Sequence, residues 1–188
     1  MTAARHPGDP THPEPTHRLF FALWPTEPMQ SALAEATRSA VTACKGTAVP
    51  ARNYHFTLAF LGDIPTARIA ALSSSAQQVV PTAPISITLD QLDYWRRSQL
   101  LCATSRAEAS EATALADNLR RALVLHGFTP DLDKPFRPHV TLARKARMRV
   151  AKAQIAPLTW TFTDFVLVAS QLTPHGSAYT VISKYPRP

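Results

Sequence analysis

Apolar and polar residues alternate through HFTLAFLG, residues 55–62, with the two-residue period of a half-buried strand. On that period His55, Thr57, Ala59 and Leu61 share one face, while Phe56, Leu58 and Phe60 form a core face. RLFFALWP (18–25) is more continuously apolar and predicts a buried strand stopped by proline. TEPMQSALAEATRSAVTAC (26–44) predicts a helix with Thr26 as its cap and Glu27 and Pro28 in its first turn. After the loop KGTAVPARNY and the HFTLAFLG strand, which ends at Gly62 and Asp63, IPTARIAALSSSAQQVV (64–80) predicts a second helix, ended by PTAP. PISITLDQLDYW and SQLLCATS predict two strands joined as a hairpin through Arg96 and Arg97. EASEATALADNLRRALVLHG (108–127) predicts a third helix, with Leu115, Leu119, Ala122 and His126 as its stripe and Gly127 at its C-terminal cap. PFRPHVTLARK, a basic loop and two closing strands, LTWTFTDFVLVAS and SAYTVISKY, complete the chain. The alternation implies a mixed α/β or α+β fold with helices packed on sheet.

A histidine and a threonine sharing one face of a strand need partners or a ligand, and a second stretch repeats them. HVTLAR, residues 139–144, places His139 and Thr141 on one face and Val140 and Leu142 on the other. The pattern His-x-Thr-Leu-Ala thus occurs twice, with 84 residues from His55 to His139, and each copy follows a helix of similar length. Two related lobes, each supplying one His/Thr pair to a shared site, account for the repeat. One such histidine alone would read as a strand residue bonded to backbone; two with matching neighbours read as a site.

Composition narrows the chemistry. At 188 residues, 45% hydrophobic and 18% charged, the chain suits one globular domain with a sizeable core. No apolar run reaches membrane-spanning length. The opening MTAARHPGDPTHPEPTHR (1–18) lacks a hydrophobic signal core, and we read residues 1–17 as a flexible tail preceding a single domain over 18–188. His6, His12 and His17 fall in that solvated extension. Cys44 and Cys102 belong to no Cys-x-x-Cys pair and suit buried free thiols in a reducing cytoplasm. The net charge of +7 favours an anionic partner. Only five glycines are present and none forms a phosphate loop, so P-loop and dinucleotide-fingerprint binding are excluded.

Two imidazoles with ordinary pKa near 6.5 can divide proton transfer at neutral pH, one accepting and one donating. Two hydroxyls between them can donate to phosphate oxygens. Arg144 lies on the opposite face from His139 by strict alternation, and reaches the site only through a bulge or from the strand end; there it could pair with phosphate. Such an assembly suits hydrolysis of a strained cyclic phosphodiester without metal or cofactor. A zinc site would need a third ligand. Asp63 and Asp133 are the nearest acidic residues, and neither repeats with the motif.

The paired motifs, with RLFFALWP, RNYHFTLAFLGDI, DYWRRSQLLCA, RPHVTLARK and SAYTVISKY, resemble the 2H phosphoesterase superfamily in its bacterial RNA 2′,3′-cyclic phosphodiesterase (2′-5′ RNA ligase-like) branch, over about residues 18–185. The resemblance implies a bilobal α+β fold with pseudo-twofold symmetry, two antiparallel-rich sheets flanking a central groove and helices outside. It implies hydrolysis of RNA 2′,3′-cyclic phosphate ends to 2′-phosphates, with 2′-5′ ligation as comparable chemistry reversed. It makes His55 the proton donor and His139 the acceptor, with Thr57, Thr141 and Arg144 on the phosphate. It puts Phe60 near the terminal base, although alternation assigns Phe60 to the core. Tyr54 stands where the family commonly has leucine. A small cyclic nucleotide or 2′-5′ oligoadenylate is the other substrate class, and an RNA-end binder without turnover is the reading from another class. We expect an RNA partner ending in a 2′,3′-cyclic phosphate or 2′-phosphate, a cytoplasmic monomer and no membrane association.

Further candidates for RNA contact are Trp95, Arg96 and Arg97 at the hairpin, where an aromatic and two cations could clamp an unpaired strand. Trp95 could equally cap the core. Lys145, Arg147, Arg149 and Lys152 form a basic cluster that is either a solvated loop or a backbone contact. Phe20, Phe21 and Tyr179 read as packing.

Overall fold

Strand β1 (Thr16–Leu23) opens the fold and lies at the centre of the first of two antiparallel sheets. The computed structural model describes residues 14–79, 84–132, 135–173 and 176–186. β1 begins two residues before the expected domain start, with Thr16 and His17 paired to Pro65 and Ile64. The rest of the expected tail, with His6 and His12, lies outside the described residues apart from Glu14 and Pro15.

Helix α1 (Glu27–Ala43) follows β1, with Thr26 at its N-terminal boundary. Thr26 caps through its backbone carbonyl, which accepts from Gln30 N–H at 3.0 Å; its side chain makes no capping bond. The expected loop carries a short strand, β2 (Thr47–Ala48), and a 3₁₀ turn (Ala51–Asn53). β3 (Phe56–Pro65) then outlasts the expected strand, so the second helix, α2, is confined to Ile69–Gln77 after another 3₁₀ turn. The reason is Gly62, whose φ of +70° turns the strand and lets it continue through Pro65 beside the start of β1.

β4 (Ile85–Trp95) and β5 (Leu100–Thr104) form the expected hairpin, and α3 (Ser110–Leu125) follows. The buried stripe of α3 is Ala112, Leu115, Ala116, Leu119 and Leu123. Ala122 is only half-buried and His126 is exposed, so the expected stripe is corrected by about one position around the helix. Gly127 closes the helix with φ +74°, the left-handed cap that glycine accepts without strain. β6 (His139–Arg144) carries the second motif.

LTWTFTDFVLVAS is divided between two strands, β7 (Ala153–Phe162) and β8 (Asp164–Thr173). With β9 (Gly176–Pro186), the close of the chain therefore has three strands where two are expected. The break at Thr163 sends β7 to one sheet and β8 to the other. The sheet orders are β3-β1-β8-β9 and β2-β6-β5-β4-β7. A continuous run of apolar residues cannot reveal that its two halves cross between lobes.

The units β1-α1-β3 and β5-α3-β6 repeat one arrangement: two antiparallel strands joined through a helix, with a His-x-Thr motif at the start of the second. One continuous core joins both sheets and the three helices, including Phe21, Leu33, Phe56, Leu72, Leu119, Leu142 and Trp160. Both cysteines are buried free thiols. Among the described residues no helix is long and apolar enough to cross a membrane.

Candidate active site

Each motif strand carries a bulge at the same place. On β3, Ala22 and Phe21 of β1 face Thr57 and Ala59, which leaves Leu58 as an extra residue. On β6, Cys102 and Leu101 of β5 face Thr141 and Ala143, which leaves Leu142 extra. Leu58 and Ala59 are both buried, as are Leu142 and Ala143. Consecutive inward residues break the alternation, and the residue that follows them changes face. Phe60 and Arg144, one place beyond each bulge, consequently turn into the groove beside the His and Thr of their own strands.

This corrects the alternation-based placement of Phe60 in the core. Phe60 is 37% exposed, and the Arg18 guanidinium lies 4.7 Å from its ring centre. Arg144 is likewise on the face of His139 and Thr141, by the bulge its inward turn required.

His55, Thr57, His139, Thr141 and Arg144 line one small cavity of about 40 Å³, closed by Val49, Asn53 and Tyr179. The two lobes thus bring both motifs to a single space. A pocket of about 540 Å³ opens on the β8–β9 side and includes Arg18, Phe20, Phe60 and Arg144. A pocket of about 630 Å³ opens on the hairpin side and includes Phe60, Trp95, Arg97, Arg120, Arg137 and His139. Phe60 and Thr57 border both pockets.

The imidazoles are oriented in the same manner. His55 Nδ1–H donates to Asn53 O at 2.7 Å, and His139 Nδ1–H donates to Arg137 O at 2.7 Å. A carbonyl only accepts, so Nδ1 carries the hydrogen on both rings and Nε2 is left to exchange protons. Thr57 Oγ1 lies 3.1 Å from His55 Nε2 and donates to it when the ring is neutral. The segment leading into His55 is held from two sides: buried Gln30 of α1 donates to Arg52 O and Tyr54 O, and Asn53 donates to Ser177 O of β9.

Aromatic rings surround His55, and one packs on His139. Trp24 stacks on His55 with centroids 5.3 Å apart, Phe20 packs at 4.9 Å, and Tyr179 meets it edge-on at 5.4 Å. Trp95 lies 4.5 Å from His139, with Arg137 over its ring at 5.3 Å. Burial, together with the charges of His139 and Arg144, lowers His55 from 6.5 to about 4, although its bond to Asn53 O acts the other way. His139 is lowered too, by burial first and then by Arg137 and Arg144, against its bond to Arg137 O. Cys102, beneath Thr141 on β5, has its thiol pushed up to about 12 by burial.

Several expectations are relocated. Trp95 is beside His139 at the mouth of the hairpin-side pocket, and Arg97 lines that pocket. Arg96 and Lys145 are exposed and line none of the pockets described above. Phe20 belongs to a small apolar cluster with Ala22, Val166 and Val168 beneath His55, while Phe21 is in the main core. Tyr179 borders the central cavity as well as packing on that cluster. Sequence reasoning missed Arg18, Trp24, Asn53, Arg120 and Arg137, which reach the groove from other strands, loops and a helix. Asn53 and Arg137, each two residues before a motif histidine, stood near enough to a motif to be found. Among the described residues, no three His, Cys, Asp or Glu side chains are placed to share a metal ion; Asp133 lies outside them.

Comparison with known proteins supplies the family context. Residues 25–173 match the family described as the 2'-5' RNA ligase superfamily. An RNA 2',3'-cyclic phosphodiesterase of Thermus thermophilus is 33% identical over 89% of this chain and 89% of its own length. One from Escherichia coli is 30% identical over 89% of this chain and 95% of its own. The crystal structure of E. coli LigT complexed with 3'-AMP superposes with a TM-score of 0.84 at 28% identity, over 92% of this chain and 99% of that one.

Proposed function

The chain belongs to the 2'-5' RNA ligase superfamily, and from that premise we propose that it hydrolyses RNA 2′,3′-cyclic phosphate ends to 2′-phosphates. The observation that carries the reading is the convergence of both His-x-Thr motifs and Arg144 on one cavity. The relatives named RNA 2',3'-cyclic phosphodiesterase, similar over most of their length, support the substrate.

In this reading His139 Nε2 takes a proton from water as the water oxygen bonds to phosphorus. The bond from phosphorus to the ribose 3′ oxygen breaks, and His55 Nε2–H delivers a proton to that oxygen. Thr57, Thr141 and Arg144 hold the non-bridging oxygens, the arginine matching an anion that neutral hydroxyls alone stabilise less. The two Nδ1–H bonds to backbone keep both rings turned so that only Nε2 does this work. A bound phosphate anion favours the imidazolium form, so substrate binding supplies the proton-holding histidine that burial disfavours in the free protein. The assignment of donor and acceptor rests on family resemblance.

Phe60 offers an aromatic face to the terminal base, and Trp95 with Arg97 borders the path of the adjoining chain. Arg96 and Lys145 stand farther out, as contacts for a longer RNA. The open pockets on both sides of the central cavity suit a polynucleotide end. Residues 18–188 constitute the bilobal catalytic unit, and since one chain supplies both motifs, it works as a monomer. The buried free thiols suit the reducing cytoplasm.

The test is product analysis of a short RNA ending in a 2′,3′-cyclic phosphate, incubated in excess EDTA with the wild type, His55→Ala and His139→Ala. A 2′-phosphate formed by the wild type alone is expected. A 3′-phosphate would reverse the leaving oxygen and the histidine roles. Turnover lost in EDTA and restored by metal would overturn the mechanism.

A further inference from the structure

The two bulges expose backbone carbonyls on the outer edge of each motif strand, and the lobes satisfy them differently. On β6, Leu142 O accepts from Val49 N–H at 2.8 Å, while Thr47 and Ala48 of β2 pair with Arg144 and Ala143. On β3, an edge strand of its sheet, Leu58 O accepts from Arg120 Nε at 3.2 Å. Two residues on, Phe60 O accepts from Asp131 N–H at 3.3 Å. A backbone strand therefore clasps one bulge, and the other is held by an arginine of α3 and the segment that follows it.

We propose that Arg120 is a positioning residue of the groove: by holding the bulged Leu58 carbonyl it sets the orientation of Phe60. Leu58 is the residue at which β3 changes face, ahead of a second bulge at Leu61, so a bond to its carbonyl acts on the rotation of the Ala59–Phe60 stretch that follows. Thr57 and Phe60 flank that point, and Arg120 lines the same hairpin-side pocket as both. The Arg18 guanidinium covers the Phe60 ring, so one arginine braces the ring and another the backbone. A backbone N–H at this position, as on β6, would be indifferent to side-chain substitution. A guanidinium makes the first motif tunable by one residue outside it.

The consequence for catalysis rests on the proposed base contact of Phe60, and the test separates the two. Arg120→Ala, Arg120→Lys, Phe60→Ala and the Arg120→Ala/Phe60→Ala double variant would be compared by KM and kcat on the cyclic-phosphate RNA. Amide shifts and hydrogen exchange of β3 would be followed by NMR. Arg120→Ala is expected to raise KM on the order of ten-fold, as loss of base stacking does, with a smaller effect on kcat and local changes at Leu58–Leu61. The double variant is expected to be no worse than Phe60→Ala in KM, because both remove one contact. Arg120→Lys, which still donates, is expected to recover most of the loss. Fully additive losses would mean that Arg120 acts on RNA directly and would overturn the proposal, as would unchanged β3 amides. A silent Phe60→Ala beside perturbed β3 amides in Arg120→Ala would support the positioning role and refute the base contact instead.

Discussion

The Thr57 hydroxyl lies 3.1 Å from His55 Nε2, so in the free protein the expected phosphate-binding hydroxyl is held by the nitrogen expected to carry the proton. Substrate must draw that hydroxyl to a phosphate oxygen, exchanging one hydrogen bond for a charge-assisted one. The two functions of the motif are thus coupled before any substrate arrives.

That coupling predicts the outcome of Thr57→Val, which keeps the shape and removes the donor. Loss of one hydrogen bond to a charged group, worth about 1.5–3 kcal/mol, lowers kcat/KM on the order of ten- to a hundred-fold. Thr141→Val is expected to do the same. Steady-state kinetics on a cyclic-phosphate RNA checks both, and an unchanged kcat/KM in either would remove that threonine from the phosphate.

The pH dependence follows from the direction of the histidine shifts. Catalysis requires one imidazolium and one neutral imidazole, and kcat/KM reports the free protein. His55 is lowered from 6.5 to about 4, and His139 is lowered as well. Both limbs of the kcat/KM profile are therefore expected on the acid side of the ordinary histidine value, with activity declining as pH rises through 6.5. The kcat profile should lie higher, because bound phosphate favours the charged ring. Arg144→Met, which removes a cation acting on both rings, should raise both pKa values in an NMR titration. A fall in either would contradict the electrostatic account.

The same shift has a consequence for folding. The unfolded chain takes up a proton at His55 as pH falls below 6.5, whereas the folded protein resists it until about 4. The unfolded state thus binds more protons in that window, and stability present above pH 6.5 is lost progressively toward pH 4. Denaturant midpoints measured across the window would test this in wild type and His55→Asn, with a shallower loss expected in the variant.

Gly46→Ala is expected to damage the second motif from a distance. A Cβ there would meet Arg144 O at 2.7 Å and Ala146 Cα at 3.0 Å, both backbone atoms that cannot step aside without moving β6. We expect a loss of about 1–3 kcal/mol in stability and a raised KM, from displacement of the bulge that turns Arg144 inward. Thermal unfolding and kinetics together check it; wild-type values in both would mean that β2 moves freely.

Much of this was legible in the residues. His55, Thr57, His139 and Thr141 announced themselves by repetition, and the long helices by periodicity and the Gly127 stop. Phe60 was hidden because alternation counts residues along one strand, and a bulge is fixed by the partner strand. A clue lay in the motif itself: after each threonine, Leu-Ala puts two small or apolar residues in succession where alternation asks for one. The division at Thr163 was hidden because both halves of that run are apolar enough for either sheet. Trp24 and Arg137 reach the histidines from outside the motif strands, which no local period can register.

The clasps also bear on how such a chain can be assembled. Thr47 pairs with Arg144, and 84 residues further on Asp131 bonds Phe60, so the segment ahead of each motif secures the strand of the other. Neither half closes its own edge. The two motifs are thus fastened crosswise through their leading segments, so that a change in the residues ahead of one motif is felt at the strand of the other.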